Sequence, residues 1–306
     1  MNETLTNFIE IVFFSSSLLI SPLYLLSFAT IALAIYIWRR ESGGFWRWLF
    51  PREMYFHRST AADLSLLMLN QVLAILGLFA RFAAVPAFAA FVARHVPYAP
   101  LHDLQLSPIG LALMLFIFAD FALYWVHRAH HSVRLIWPLH AVHHSAEVLT
   151  PITTYRQHPM GGLVAASIQT FMVGGAFGLL LGAFNPDATL LEIAGANAFT
   201  VIVNLLFTNF QHSHIWISFG PFWERIFISP AQHQVHHSTN PAHFNKNFGQ
   251  TIALWDWLFG SLYITGKNEQ ITFGLDDEAD APLMTHRLWP ILWNPMQRMF
   301  ARAIGR

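Results

Sequence analysis

The sequence contains no cysteine, which excludes disulfide bonds, thiolate metal ligands and a cysteine nucleophile. Charge is scarce too, because only 11% of the 306 residues are charged, whereas a soluble domain usually carries about 25%. Acidic and basic residues balance at 17 each, so the net charge does not predict a nucleic-acid partner. With 55% hydrophobic residues and a mean hydropathy of +0.43, the composition predicts an integral membrane protein.

Long apolar runs predict an all-α fold with about four to five transmembrane helices and a cytoplasmic helical cap. The runs cover residues 7–38, 64–92, 107–126, 161–184 and 188–210. We expect the second run to bend after Arg81 or at Pro86, and Asn185-Pro186-Asp187 predicts a turn between the last two. Glycines 174, 175, 178 and 182 would let neighbouring helices pack closely.

The chain is predicted to form one membrane-embedded domain over residues 1–306. Residues 1–105 would supply the N-terminal spans, 106–265 a catalytic core with histidine motifs, and 266–306 a C-terminal cytoplasmic tail. Arginines and tryptophans between residues 39 and 58 predict that this segment lies on the cytoplasmic side. The compact length and the lack of a targeting signal favour a bacterial inner membrane, with the active site facing the cytoplasm.

Histidine is the one polar residue type in excess, and 13 of the 17 histidines lie between residues 127 and 243. Eight of them form motifs in which residues three or four apart share one helix face, with β-carbons about 5–6 Å apart. These eight are His127, His131, His140, His143, His144, His233, His236 and His237. Neutral imidazole binds iron, zinc, copper and nickel. Eight imidazoles exceed the needs of one ion, so the motifs predict a dimetal site.

Two further positions could add imidazole ligands. His212 or His214 lies at the cytoplasmic end of the fifth apolar run, and spacing alone does not choose between them. His158 could be a tenth ligand, or it could support another ligand. His130 points away from the face shared by His127 and His131, so we do not expect it to bind metal.

Carboxylates near the motifs are candidates for orienting the histidine rings, because a metal-bound histidine usually donates its free N–H to such a partner. Asp120 and Tyr124 share a helical stripe with His127, and a carboxylate within a span usually has a partner or a function. Glu147 and Asp256 follow the second and third motifs. Helix capping would also account for these last two residues.

The histidine motifs and their surroundings resemble the fatty acid hydroxylase superfamily, also called the sterol desaturase family. The resemblance covers about half of the chain, and the part towards the C-terminus is similar to alkylglycerol monooxygenases and their bacterial relatives. It rests on the segments Asp120–His131, Trp137–Glu147, Ser229–Asn240, Asn245–Gly249 and Trp255–Ser261.

The resemblance implies a membrane enzyme in which two iron ions use O2 to hydroxylate or desaturate a C–H bond of a lipid. It selects His212 over His214 as a ligand, and it adds Asn240 to the candidate site residues. The sequence has no haem, flavin or nicotinamide motif. Electrons are therefore expected from a separate redox partner, such as a cytochrome b-type protein, a ferredoxin or a reductase.

Two other classes of protein also place histidines near membranes. A zinc-dependent membrane hydrolase needs an open metal position and a general base, but the sequence lacks His-Glu-x-x-His and has too many histidines for one zinc ion. A metal-binding or transport protein usually has its site near the middle of the membrane, on broken helices. The histidines here lie at or beyond the predicted ends of the spans.

Overall fold

The computed structural model describes residues 19–78, 84–95, 107–184, 198–267 and 269–305. Within these ranges the chain forms helices joined by loops, and the only β-pairing is two isolated bridges, Phe227 with Ile252 and Ser238 with Phe273. The helices are α1 Pro22–Arg39, α2 Phe45–Leu49, α3 Arg52–Tyr55, α4 Arg58–Ile75, α5 Val85–His95, α6 Pro108–Ser132, α7 Trp137–His144, α8 Pro159–Phe184, α9 Ala198–Val203, α10 Asn209–Gln211, α11 Gly220–Trp223, α12 Pro230–His236, α13 Leu254–Leu258 and α14 Leu288–Ala303. The predicted all-α class is confirmed.

Within the described ranges, three helices are long and apolar enough to cross a membrane: α1, most of α6 from Ile109, and α8. Only 17 to 33% of the residues in these segments are buried within the protein, so most of their side chains are at least partly exposed, as lipid-facing helices require. A shorter apolar segment, Ala198–Gln211, comprises α9, a π-helical turn and α10. The count of four to five spans stays a prediction.

The second predicted span is divided in the structure. Its residues lie in two separate helices, α4 and α5, of which α5 has 11 residues. Pro86 lies in the first turn of α5, where proline is tolerated because its missing N–H would have had no helical partner. The predicted bend after Arg81, the Asn185-Pro186-Asp187 turn and the first part of the 7–38 run lie outside the described residues.

Glycines on α8 allow α5 to approach closely. A β-carbon at Gly178 would lie 2.5 Å from Val92 Cβ and 2.6 Å from the carbonyl oxygen of Ala89. A β-carbon at Gly174 would lie 3.0 Å from the carbonyl oxygen of Val85. Any larger side chain at Gly178 would therefore force the two helices apart, in agreement with the packing role predicted for these glycines.

The C-terminal segment packs against the histidine-bearing part of the chain. One hydrophobic core joins Leu66 of α4, Val142 of α7 and Ile291 of α14, and none of the three is exposed to solvent. Because α14 contacts α7 directly, residues near the C-terminus help to fix a helix that carries three of the motif histidines.

Candidate metal centre

Four stretches of the chain bring the motif histidines together. α6 carries His127 and His131 near its C-terminal end, α7 carries the second motif, and α12 with the residue after it carries the third. α12 begins in a capping box, in which the Ser229 hydroxyl accepts from the Gln232 amide and the Gln232 side chain accepts from the Ser229 amide. His212 follows α10 directly.

Nine histidines form two adjoining groups, and within each group the nearest ring nitrogens lie within 4.8 Å of one another. The group of five consists of His127, His131, His140, His144 and His236, and the group of four consists of His143, His212, His233 and His237. Both histidines of the first motif belong to the group of five. The second and the third motif each contribute histidines to both groups. The rings of His144 and His237, one from each group, stack with centroids 4.5 Å apart.

In the group of four, the Nε2 atoms converge. The Nε2 atom of His212 lies 3.2 Å from that of His143 and 3.1 Å from those of His233 and His237. Nitrogens about 3.2 Å apart at the corners of a tetrahedron have a centre about 2.0 Å from each, which matches metal–nitrogen bond lengths for histidine. The donor set therefore fits a metal ion.

In the group of five, ring nitrogens are buried without partners. The Nε2 atoms of His127, His140 and His236 make no hydrogen bond with any residue that the structure describes, and a buried polar atom without a partner costs free energy. Burial lowers the pKa of His236 to about 4, and burial, with smaller effects from nearby charged groups, lowers that of His143 in the neighbouring group to about 3. The imidazoles are therefore neutral near pH 7, which is the form that binds metal ions.

The opposite nitrogen of several rings is held by the protein. Nδ1 of His127 lies 2.9 Å from the carbonyl oxygen of Phe248, and Nδ1 of His236 lies 2.7 Å from that of Lys246. A carbonyl oxygen can only accept, so these Nδ1 atoms carry the proton and Nε2 is left free. Nδ1 of His212 lies 3.1 Å from Thr154 Oγ1.

The loop that supplies both carbonyl groups is held by two buried carboxylates. Asp256 accepts from the amides of Phe248 and Gly249 at 2.8 and 2.7 Å, and from the Ser261 hydroxyl at 2.6 Å. Asp120 accepts from the amides of residues 251 and 252 at 3.0 and 3.1 Å, and from the Trp255 indole at 3.0 Å. Both carboxylates thus act on the histidines through the loop, whereas the sequence suggested direct contact with the rings.

Tyr124 helps to hold the same loop. Its hydroxyl lies 3.0 Å from Ser261 Oγ, which in turn donates to Asp256, and it accepts from Arg128 at 2.6 Å. Tyr124 is fully buried and lies one turn before His127 on α6. Its role is therefore to brace the loop and the helix.

Three further predicted site residues have their partners away from the grouped histidines. Nδ1 of His158 accepts from the Met160 amide at 3.1 Å, and its Nε2 lies 3.0 Å from the carbonyl oxygen of Leu292, so neither nitrogen is free for a metal. Glu147 contacts His286 at 2.6 Å instead of a motif histidine. The Asn240 side chain accepts a hydrogen bond from the backbone amide of Ala242 at 3.0 Å, which caps a short turn.

The other histidines also have local partners. His130 lies outside both groups, with Nδ1 2.8 Å from the carbonyl oxygen of Val126. The ring of His214 packs edge-on against Trp48 at 5.7 Å, so of the two neighbouring candidates the structure brings His212 into a group. His95 is exposed at the end of α5, and His102 lies outside the described residues.

A fully buried arginine supports the second motif, and the sequence did not single it out. Arg156 donates to the carbonyl oxygen of Val142 at 2.8 Å and to Ser145 Oγ at 2.8 Å, which satisfies acceptors at the C-terminal end of α7. It also pairs with Asp63 at 2.7 Å and lies 3.0 Å from Nδ1 of His286. A lone arginine between two motifs carries no sequence signal that would reveal these partners.

Two cavities reach the histidines from different sides. The membrane-side cavity, about 280 Å³, lies between α6 and the start of α8 and is lined by Leu123, Val126 and Ala165, besides histidines of both groups. The cap-side cavity, about 380 Å³, ends on His131, His144, His236 and His237. Its outer part is formed by residues 274–280 and by the end of α14.

Residues 112–261 match the family model described as fatty acid hydroxylase. This span contains all nine grouped histidines and the two loop-holding carboxylates. The family resemblance seen in the motifs is confirmed.

Several curated proteins are similar to this chain. Alkylglycerol monooxygenase from Homo sapiens is 30% identical over 160 residues, which are 52% of this chain and 32% of that protein. Ornithine lipid hydroxylase from Rhizobium tropici is 31% identical over 147 residues, 48% of this chain and 40% of that protein. Delta(7)-sterol 5(6)-desaturase from Aspergillus fumigatus is 29% identical over 189 residues, which are 58% of this chain and 50% of that protein.

These relatives are oxidoreductases by name, and the chain spans only 32 to 50% of their length. No solved structure matches the chain significantly.

Proposed function

We propose that this protein is a membrane-bound di-iron oxygenase that uses O2 and external electrons to hydroxylate or desaturate a C–H bond of a lipid. The observation that carries the proposal is the pair of adjoining groups of five and four imidazoles, of which seven are buried and two, His127 and His131, are half-buried. The names of the relatives support a lipid substrate, because they refer to an alkylglycerol, an ornithine lipid and a sterol.

The two groups would each hold one iron ion, and these ions would supply the O2 activation and C–H cleavage that no amino-acid side chain performs. The chain keeps the Nε2 atoms unprotonated and aimed inward, since carbonyl oxygens hold the Nδ1 protons of His127 and His236. Burial keeps water from the rings, and the cavities admit the substrate.

Lipid access follows from the position of the site. His127 and His131 lie in the last turns of a candidate membrane span, so the centre lies near the boundary of the bilayer. We expect the cytoplasmic side of a bacterial inner membrane. Electrons would come from a separate protein, for which a cytochrome b-type protein, a ferredoxin and a reductase are the candidate classes.

The proposal is tested with purified protein in bilayer nanodiscs that contain a total bacterial lipid extract, a chemical reductant and isotopically labelled dioxygen. Mass spectrometry should find a lipid that gains one labelled oxygen atom, or a lipid that loses two hydrogen atoms. His236→Ala should abolish the product, whereas His95→Ala should retain it, because His95 is exposed and far along the chain from the groups. Absence of any oxidised lipid with fully iron-loaded protein would contradict the proposal.

A further inference from the structure

The cap-side cavity has the size and the shape of a small-molecule site. Its volume of about 380 Å³ falls in the range of about 300–1,000 Å³ that is usual for ligand cavities. The floor is formed by motif histidines, and Trp137, Phe244 and Leu275 add apolar walls. A protein partner would instead need a surface patch of about 800 Å² on its side. The cavity is therefore of a size that suits a small molecule or a lipid headgroup, and it is too small for a protein surface.

Two guanidinium groups lie on one side of the opening. Arg134 follows α6, and Arg302 lies in the last turn of α14 and donates to the carbonyl oxygen of Arg134. Partial burial, and then the neighbouring charges of Arg298 and Arg134, lower the pKa of Arg302, and the charges of Asp280 and Asp277 oppose this with smaller effects. Arg298 is paired with Asp280, but neither Arg134 nor Arg302 forms an ion pair with any described carboxylate. An unpaired guanidinium pair suits a phosphate or carboxylate.

Two exposed carboxylates, Asp276 and Asp277, line the same cavity. Asp277 accepts from the amide of Ala279 at 2.9 Å, and neither aspartate is ion-paired within the described part of the chain. Carboxylates at the opening repel a ligand that carries only negative charge, and they attract an amine. A zwitterion, with one anionic and one cationic group, satisfies both sets of charges.

The face of α14 opposite Arg302 places this opening beside the membrane surface. Trp289, Trp293 and Phe300 are exposed by 70, 51 and 68%, and their spacing of four and seven residues aligns them along one side of the helix. Tryptophan and phenylalanine on a helix with a basic opposite side are typical of helices that lie in the headgroup layer. The opening is thus at the level at which lipid headgroups are found.

We propose that the cap-side cavity binds the zwitterionic headgroup of a polar lipid, with its anionic group on Arg134 and Arg302 and its cationic group on Asp276 and Asp277. This assignment rests on the proposed function, because it names the class of lipid that reaches the same histidines. A neutral lipid such as a free sterol would leave both sets of charges unpaired.

The test measures binding of three short-chain lipids to the purified full-length protein in detergent: dioctanoyl phosphatidylethanolamine, dioctanoyl phosphatidylglycerol and dioctanoylglycerol. Native mass spectrometry gives the affinities, and the metal content is measured on each sample. The zwitterionic lipid should bind about tenfold more tightly than the other two. The double variants Arg134→Gln/Arg302→Gln and Asp276→Asn/Asp277→Asn should each remove about tenfold of that affinity, whereas the remote exposed variants Arg225→Gln and Glu53→Gln should not.

Equal binding of the uncharged lipid, or unchanged affinity in both double variants, would overturn the headgroup assignment. Binding of the anionic lipid to the unmodified protein as tightly as the zwitterionic lipid would overturn it in favour of a purely anionic ligand. Failure of the two proposals can be told apart. Selective zwitterion binding by a protein that holds no iron pair would refute the oxygenase and leave the headgroup site standing. A protein that holds an iron pair but does not select the zwitterionic lipid would refute the headgroup site and leave the oxygenase standing.

Discussion

Asp256 is expected to control the group of five histidines without touching any of them. The variant Asp256→Asn keeps the shape of the side chain but turns an acceptor into an NH2 group, which would face the amide of Phe248 or Gly249. Hydrogen bonds to a buried charged group contribute about 1.5–3 kcal/mol each, and an unsatisfied donor costs about 1–3 kcal/mol. We therefore expect a loss of about 2–4 kcal/mol, concentrated in the loop.

The consequence for the metal centre should be selective. The loop carries the carbonyl groups that hold His127 and His236, and both of these belong to the group of five. Loss of such supporting contacts typically weakens metal affinity about 10- to 100-fold. Asp256→Asn should therefore lose one of two metals per chain during dialysis against a weak chelator, while the group of four keeps the other.

The assay is elemental analysis of the dialysed protein together with thermal unfolding in detergent. Glu53→Gln is the matched control, because it makes the same change from carboxylate to amide at an exposed position. Two metals retained with wild-type resistance to the chelator would refute the reasoning, and so would loss of both metals at the same chelator concentration.

Three further predictions concern the same framework. His143→Ala should abolish metal binding by the group of four, as measured by metal content per chain, and full retention would contradict the grouping. Arg156→Met should destabilise the protein by about 3–5 kcal/mol in chemical unfolding, because Asp63 would be left as an unpaired buried charge. Addition of Asp63→Asn should recover part of this loss. Strictly additive losses in the double variant would contradict the pairing. Gly178→Val should lower the thermal unfolding temperature, because α5 lies 2.5 Å from the added β-carbon, whereas Gly175→Ala, with 3.8 Å of room, should not.

The grouped histidines were largely predictable because helical spacing fixes which side chains share a face. His140, His143 and His144 lie on one short helix, and their spacing alone indicated that they converge. The division into five and four was not predictable, since it depends on how α6, α7 and α12 pack. His143 and His144 are adjacent in sequence, yet they belong to different groups.

The supporting contacts were less predictable for a physical reason. Every residue has a carbonyl oxygen, so no residue type marks Lys246 or Phe248 as the partner of a histidine. Asp120 and Asp256 were singled out as carboxylates near the motifs, but the sequence could not show that main-chain amides lie between them and the rings. The sequence did not show the partners of His286, which lies between Arg156 and Glu147.

The long apolar segments were predictable where hydropathy alone determines the helix. α6 and α8 each begin within two residues of the start of their apolar runs, and α8 ends at the same residue as its run. An interruption near Pro86 was expected, and α5 does begin at Val85. That α4 ends as early as Ile75 was not predicted, because hydropathy does not show where a helix stops when tertiary packing decides it. Such packing is seen between α8 and α5, where Val92 lies so close to Gly178 that no larger residue fits at that position.

The central claim is that the two histidine groups hold a pair of iron ions. It is tested most directly by metal analysis and Mössbauer spectroscopy of protein purified gently from membranes of cells grown with added iron. The account predicts two iron ions per chain, magnetically coupled and in nitrogen-rich surroundings. A single tightly bound zinc ion, or no metal in stoichiometric amount, would contradict it.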